Sequence, residues 1–179
     1  AILDVEKGEA QTIVIPEIDV SPEETVLLFN EVKCEENNKF DIGFFNIIDK
    51  ILAKNWEKLD DSKKSEVRAK LIKFTEGKIH AKAEGRFAAL CVKVFQFSEE
   101  WSEFQNYVFS GEITNTKAKI FAYLMSAVEE EYVSAHFKEI VSFVVRGLPI
   151  VTPSLKDKLI NVLSNIDSEL AFETEPTLL

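Results

Sequence analysis

Histidine is nearly absent from this chain, with two copies, and cysteine is as rare, with two. His80 and His136 lie far apart and belong to neither an HExxH nor an E-x-x-H pair, so no metal site or metal cofactor is expected. Glu76 and Glu84 flank His80, and Glu139 follows His136, but one His–Glu pair supplies too few ligands. Cys34 and Cys91 make no disulfide framework and no CxxC motif, and a reducing, cytoplasmic or nuclear setting follows. Glycine and proline number 6 and 5, which leaves no Gly-rich phosphate loop and no GxSxG elbow. No cofactor is implied, and the chain reads as a non-enzyme. No apolar run approaches the ~18 residues of a membrane span. The N-terminus, from Ala1 to Lys7, lacks the basic and apolar regions of a signal peptide. It also lacks an initiator Met, which reads as a processed form or an excised fragment.

Positive charge is in short supply. Lys and Arg total 21 against 31 Asp and Glu, a net charge of −10. Direct nucleic-acid binding is disfavoured, because phosphate neutralisation needs a basic surface. The charge is uneven, however. Lys63, Lys64, Arg68, Lys70, Lys73, Lys78, Lys82 and Arg86 stand against Glu66, Glu76 and Glu84, so residues 63–86 carry 8 − 3 = +5. The bland reading is a solvated helix face. The functional reading, and the candidate partner-binding site, is a surface for an acidic segment of another protein, reached by charge steering. Leu71 and Ile72 interrupt the stripe that Lys64 and Arg68 begin. Paired carboxylates (Glu23-Glu24, Asp60-Asp61, Glu99-Glu100, Glu129 to Glu131) fall at helix starts and polar breaks, where capping and solvation explain them better than catalysis.

What is present in quantity is phenylalanine, 14 copies, within 46% apolar residues. Phe fills cores and brings no polar handle. At 179 residues the chain suits one domain with a sizeable core. Two stretches repeat each other. Phe87, Ala88, Leu90, Cys91 and Val94 match Phe121, Ala122, Leu124, Met125 and Val128 at an offset of 34. Trp101, Phe104, Tyr107, Val108 and Gly111 match Phe137, Ile140, Phe143, Val144 and Gly147 at an offset of 36. A period of ~30–45 residues made of helix pairs is the mark of stacked α-helical repeats.

Residues 1–20 read as an extended arm. Ser21-Pro22-Glu23-Glu24 is a capping box that opens the first helix. Helices are then expected over about 41–56, 61–74, 79–97 (with Gly85 inside it), 98–111, 114–132 and 134–146. Thr152 and Pro153 open a last one, whose apolar spacing runs to Leu170. Gly77, Gly111 and Gly147 are the expected helix stops. The prediction is all-α: seven to eight antiparallel helices in a HEAT/TPR-like helical-repeat solenoid fragment, with a compact irregular bundle as the alternative. The single helical domain spans 21–172, with a frayed tail over 173–179.

Ile51-Leu-Ala-Lys-Asn-Trp56, the charged helix to Phe74, Phe87 to Val94 and Ser98-Glu-Glu-Trp101-Ser-Glu-Phe104 together carry a likeness. Over roughly residues 44–110 the chain resembles the N-terminal HEAT repeats of the exportin and importin-β family. Ser98 and Ser102 stand where that family commonly has a proline beside the tryptophan. The resemblance implies a fragment of a nuclear transport receptor that contacts Ran or cargo. The helical repeats of PCI-type subunits in translation-initiation, proteasome-lid and signalosome assemblies are a near-equal likeness. Both imply one role, a non-catalytic scaffold that holds protein partners. The two other functional readings are a carrier whose Phe residues line an apolar cavity, and an enzyme whose site is assembled by folding.

Overall fold

The computed structural model describes residues 19–35 and 38–166. The extended arm before Asp19, the continuation of the last helix to Leu170 and the tail over 173–179 lie outside the described residues. Within them the chain is all-helical, with nine α-helices. These are α1 (Pro22–Asn30), α2 (Lys39–Asn55), α3 (Asp61–Phe74), α4 (Glu84–Phe97), α5 (Ser102–Phe109), α6 (Asn115–Ala127), α7 (Glu130–Ala135), α8 (Phe137–Gly147) and α9 (Pro153–Ser164). Among the described residues no helix is long and apolar enough to cross a membrane.

The helices form two rows. In one, α2 packs on α4, α4 on α6 and α6 on α9; in the other, α3 packs on α5 and α5 on α8. α1 packs against both α2 and α3 at one end. Within each row every helix therefore meets the next member of that row, which is how repeated helix pairs stack. The sequence repeat becomes spatial here. Its leading members, α4 and α6, lie side by side in the first row, and its trailing members, α5 and α8, do so in the second.

Local chemistry sets most of the starts. Ser21 Oγ accepts from the Glu24 amide at 3.1 Å while Glu24 Oε1 accepts from the Ser21 amide at 3.3 Å, the expected capping box. Asp60 caps α3 by accepting the Lys63 amide at 2.8 Å, and Thr114 caps α6 by accepting the Lys117 amide at 3.1 Å. Other boundaries differ from expectation. Asn38, not a residue nearer Asp41, caps α2 through the Phe40 and Asp41 amides. α4 begins at Glu84 rather than Ile79, so Gly85 sits in its first turn instead of its interior. Ser98 does not open α5. It closes α4, its amide and hydroxyl both donating to the Val94 carbonyl, and Trp101 leads α5 with no side-chain cap. Burial holds Trp101 instead: it is 2% exposed and stacks on Phe104 with ring centroids 4.7 Å apart.

The ninth helix arises because the helix expected to reach Tyr132 breaks at Val128, whose backbone is extended. Glu129, Glu130 and Glu131 explain the break. Three carboxylates are unfavourable in the last turn of a helix and favourable in the first turn of a new one, so α6 stops and α7 starts. The next bend falls at His136 rather than near Ser134. The core holds Trp101 and Cys91 as expected, and the phenylalanines chain through it: Phe44 to Phe45, Phe45 to Phe87, and Phe121 stacked on Phe143 at 4.0 Å.

Candidate functional site

The eight basic residues do not form one stripe. α3 buries Val67, Leu71 and Phe74, and its cations flank that apolar face on both sides. Lys64 and Arg68, one turn apart, border one side, and Lys63 and Lys70, two turns apart, border the other. Lys63, Lys64 and Arg68 are engaged within the chain by α1, the Trp56 ring and the end of α4. Lys63 Nζ lies 3.2 Å from Glu23 Oε1, Lys64 Nζ sits 5.7 Å above the Trp56 ring, and Arg68 donates to Ser98 Oγ and Ser65 Oγ at 3.3 Å each. The Glu23 carboxyl is held below its ordinary value by backbone hydrogen bonding and by Lys63. Lys73, Lys78, Lys82 and Arg86 are exposed along the passage from the end of α3 into α4, and Lys70 is half-buried.

The other sequence candidates are spread out. His80 Nδ1 accepts from the Lys82 amide at 3.1 Å. His136 lies elsewhere, stacked against Phe109, tilted against Tyr132, with Nδ1 3.2 Å from Glu139 Oε1. Cys34 and Cys91 are both free and buried. Burial pushes both thiols up, Cys34 to about 12 with help from the Asp41 carboxylate, so neither is a thiolate nucleophile at neutral pH. Among the described residues no cluster of three or more His, Cys, Asp or Glu side chains is placed to hold a metal ion.

Several buried polar groups escaped the sequence reading, and all have structural work. Asp41 accepts the amides of Lys33 at 3.0 Å and Glu35 at 3.3 Å, which fixes the turn before α2. Asn55 donates to the Val20 carbonyl at 2.8 Å and to Thr25 Oγ1 at 2.9 Å, which fixes where the chain enters α1. Lys117 Nζ donates to the Ser110 carbonyl at 2.7 Å and lies 4.6 Å from the Tyr107 ring centroid, and Arg146 Nη1 donates to the Gly111 carbonyl at 3.3 Å. Burial, and secondarily Arg146, lowers the Lys117 ammonium below its ordinary value, with Glu112 opposing. The two cations together hold the carbonyls that follow α5.

The sequence reading also missed a groove. A cavity of about 690 Å³ opens between α6, α7 and α9, where the break at Val128 turns the chain away from the first row. Met125, Val128, Val133, Ile140, Val162 and Ile166 supply its apolar lining. Tyr123, Ser126, Glu130, Lys158, Asn161 and Asn165 supply polar atoms. Among the described residues no phenylalanine lines it; the phenylalanine side chains that the carrier reading assigned to a cavity mostly fill the core. One signal was available in the sequence: Val162 on α9 and Ile166 just past its end continue the apolar spacing beyond the Leu155 and Leu159 that the buried face of α9 uses. No protein-family model, curated protein or solved structure matches this chain.

Proposed function

We propose that the chain is a non-catalytic helical-repeat scaffold that binds other proteins, working in a cytoplasmic or nuclear assembly of the transport-receptor or translation type. The observation that carries this reading is the two-row stacking of matched helix pairs, because such stacks present continuous flanks and grooves along their length. The likeness of residues 44–110 to N-terminal HEAT repeats points the same way. The exposed cations Lys73, Lys78, Lys82 and Arg86 form the docking surface for an acidic partner segment, with Lys70 at its edge. Lys63, Lys64 and Arg68 support α3 from within the chain.

Affinity capture with crosslinking from a native extract tests this. Crosslinks from residues 73–86 to acidic segments are expected, and they should disappear in the K73E/K82E/R86E variant while the urea midpoint stays within about 0.5 kcal/mol of the parent, as for exposed positions generally. A monomer that crosslinks to no protein, or a captured set that the triple variant leaves unchanged, refutes the reading.

A further inference from the structure

The groove between α6, α7 and α9 is not explained by the basic segment, and it differs from that segment in chemistry. Its floor is apolar and half-buried, with Met125, Val128 and Val133 on one side and Val162 and Ile166 on the other. Val162 in the last turn of α9 and Ile166 just past its end lie four residues apart, and Asn161 and the C-cap residue Asn165 run beside them as a polar edge. An apolar floor with a polar edge at helical spacing suits another helix laid along it, whose apolar residues at i, i+3, i+4 and i+7 fill the floor.

Length and charge define that helix. From Lys158 to the end of α9 at Ser164 the groove follows the helix for about 9 Å at helical rise, and Asn165 and Ile166 extend it beyond the helix end, which accommodates two to three turns of a partner. Glu130 lines the mouth, and Glu129 and Glu131 flank it, all three exposed. The carbonyl end of α6, the negative end of its dipole, lies at Val128 in the same mouth. Lys158 is the one cation in the lining among the described residues. The amide end of α7 opposes the carbonyl end of α6 at this mouth, so the three carboxylates against one ammonium set the sign and favour a positively charged occupant.

We propose that this groove docks a basic amphipathic helix of a partner protein, two to three turns long. The site goes beyond the docking surface on residues 73–86, which takes an acidic segment, and each stands if the other fails.

The test uses the full chain, labelled with nitrogen-15, and two synthetic 14-residue peptides that share one leucine face. One carries lysines on its polar face and the other glutamates. The lysine peptide should shift the amide signals of residues 122–133 and 158–166. It should bind at least about tenfold tighter than the glutamate peptide, the sum of several modest surface charge pairs. V162E should weaken it by at least about tenfold through the lost apolar contact and a charge placed on the floor. E130Q, which removes the one carboxylate in the lining and leaves Glu129 and Glu131 at the break, should cut the preference for lysine by at least about half with the fold intact, and it decides the matter if V162E proves unstable. K73E/K82E/R86E should leave this binding unchanged. Equal binding of both peptides, or shifts confined to residues 63–86, overturns the proposal. So do groove signals that move with protein concentration alone, which would give the site to a second copy of the chain. An apolar small molecule retained in the groove by native mass spectrometry overturns it as well.

Discussion

The α4–α5 pair and the α6–α8 pair match in sequence but are finished differently. Phe87 and Phe121 are both fully buried, as are Leu90 and Leu124, and Val108 and Val144. Three matched positions of the leading helices part company. Ala88, Cys91 and Val94 on α4 are buried in the stack, whereas Ala122 and Met125 on α6 and Val128 just after it are half-buried and line the groove. In α4 the helix continues to Phe97 and presents Val94 to its neighbours. In α6 the glutamate run stops the helix at Ala127, four residues earlier by the repeat's own register. The same apolar letter therefore does two jobs, closing a core in one unit and lining a docking surface in the next. What separates them is the charge that follows.

The strongest way to break this comparison is to put a carboxylate at each matched valine. Val94 is 0% exposed, and an aspartate there must be buried without a partner or stay protonated. V94D should lose at least about 5 kcal/mol, enough to unfold a domain of ordinary stability. V128D should lose less than about 2 kcal/mol and remain folded, because its carboxylate reaches water at the mouth of the groove and pays only a like-charge penalty beside Glu129. Urea unfolding followed by circular dichroism measures both. Equal losses at the two positions would mean that the groove is closed in solution.

Much of the fold was legible and the groove was not, for a physical reason. Helix identity follows from apolar spacing and caps, which are local, so Ser21, Asp60, Thr114 and the Thr152-Pro153 start were read directly from sequence. Ser98 misled because a serine followed by two glutamates is a good helix start in isolation, yet its hydroxyl donates backward to Val94 instead. The basic stripe is already interrupted in sequence at Leu71 and Ile72, yet all eight cations stayed in the candidate site because linear charge counting ignores which cations a neighbouring element claims. Lys63 is met by Glu23 from α1, Lys64 by Trp56, and Arg68 by Ser98 from the end of α4. The groove needs three elements at once, α6, α7 and α9, and no sequence window contains them all.

A smaller effect separates the units by proton binding. The Cys91 thiol is raised by complete burial, while its counterpart Met125 has no proton to lose. The folded state keeps the Cys91 proton where the unfolded chain releases it. Above the ordinary thiol value near 9 the folded state thus binds more protons, and stability falls as pH rises. Cys34 and, at higher pH, Tyr107 and Tyr132, each pushed up to about 12, add to the fall in the same direction. Lys117, lowered below its ordinary value, gives an opposing slope where the unfolded chain is still protonated and the folded one is not. Those other groups are common to the parent, C91A and M125A; Cys91 contributes to raising Tyr107, but burial is the larger cause and persists in C91A, so the differences report Cys91 first. Between pH 9 and 10.5, C91A should lose stability less steeply than the parent by about 1.4 kcal/mol per pH unit, whatever its loss at neutral pH. M125A should keep the parent's slope. A C91A slope equal to the parent's would show that the thiol titrates in the folded state.

The smallest expected effect lies in the two matched glycine stops, which end their helices by different means. Gly111 has φ +77 and follows α5 in the left-handed region, where a side chain is strained. Gly147 is the last residue of α8 and is not left-handed; a Cβ there would come within 3.1 Å of Leu159 Cδ1 on α9. The first glycine is required by backbone angle and the second by helix–helix approach. G111A should therefore cost about 1–2 kcal/mol, the strain of a left-handed alanine. In G147A the gain in helix propensity, up to about 1 kcal/mol, opposes the small shift demanded of the end of the Leu159 side chain. The net cost at Gly147 should stay below about 1 kcal/mol and below that of G111A. Urea midpoints read the pair directly. A larger loss at Gly147 than at Gly111 would show that α9 is seated too rigidly on α8 for Leu159 to yield. The groove that α9 borders would then be a fixed feature of the stack rather than one that adjusts to its occupant.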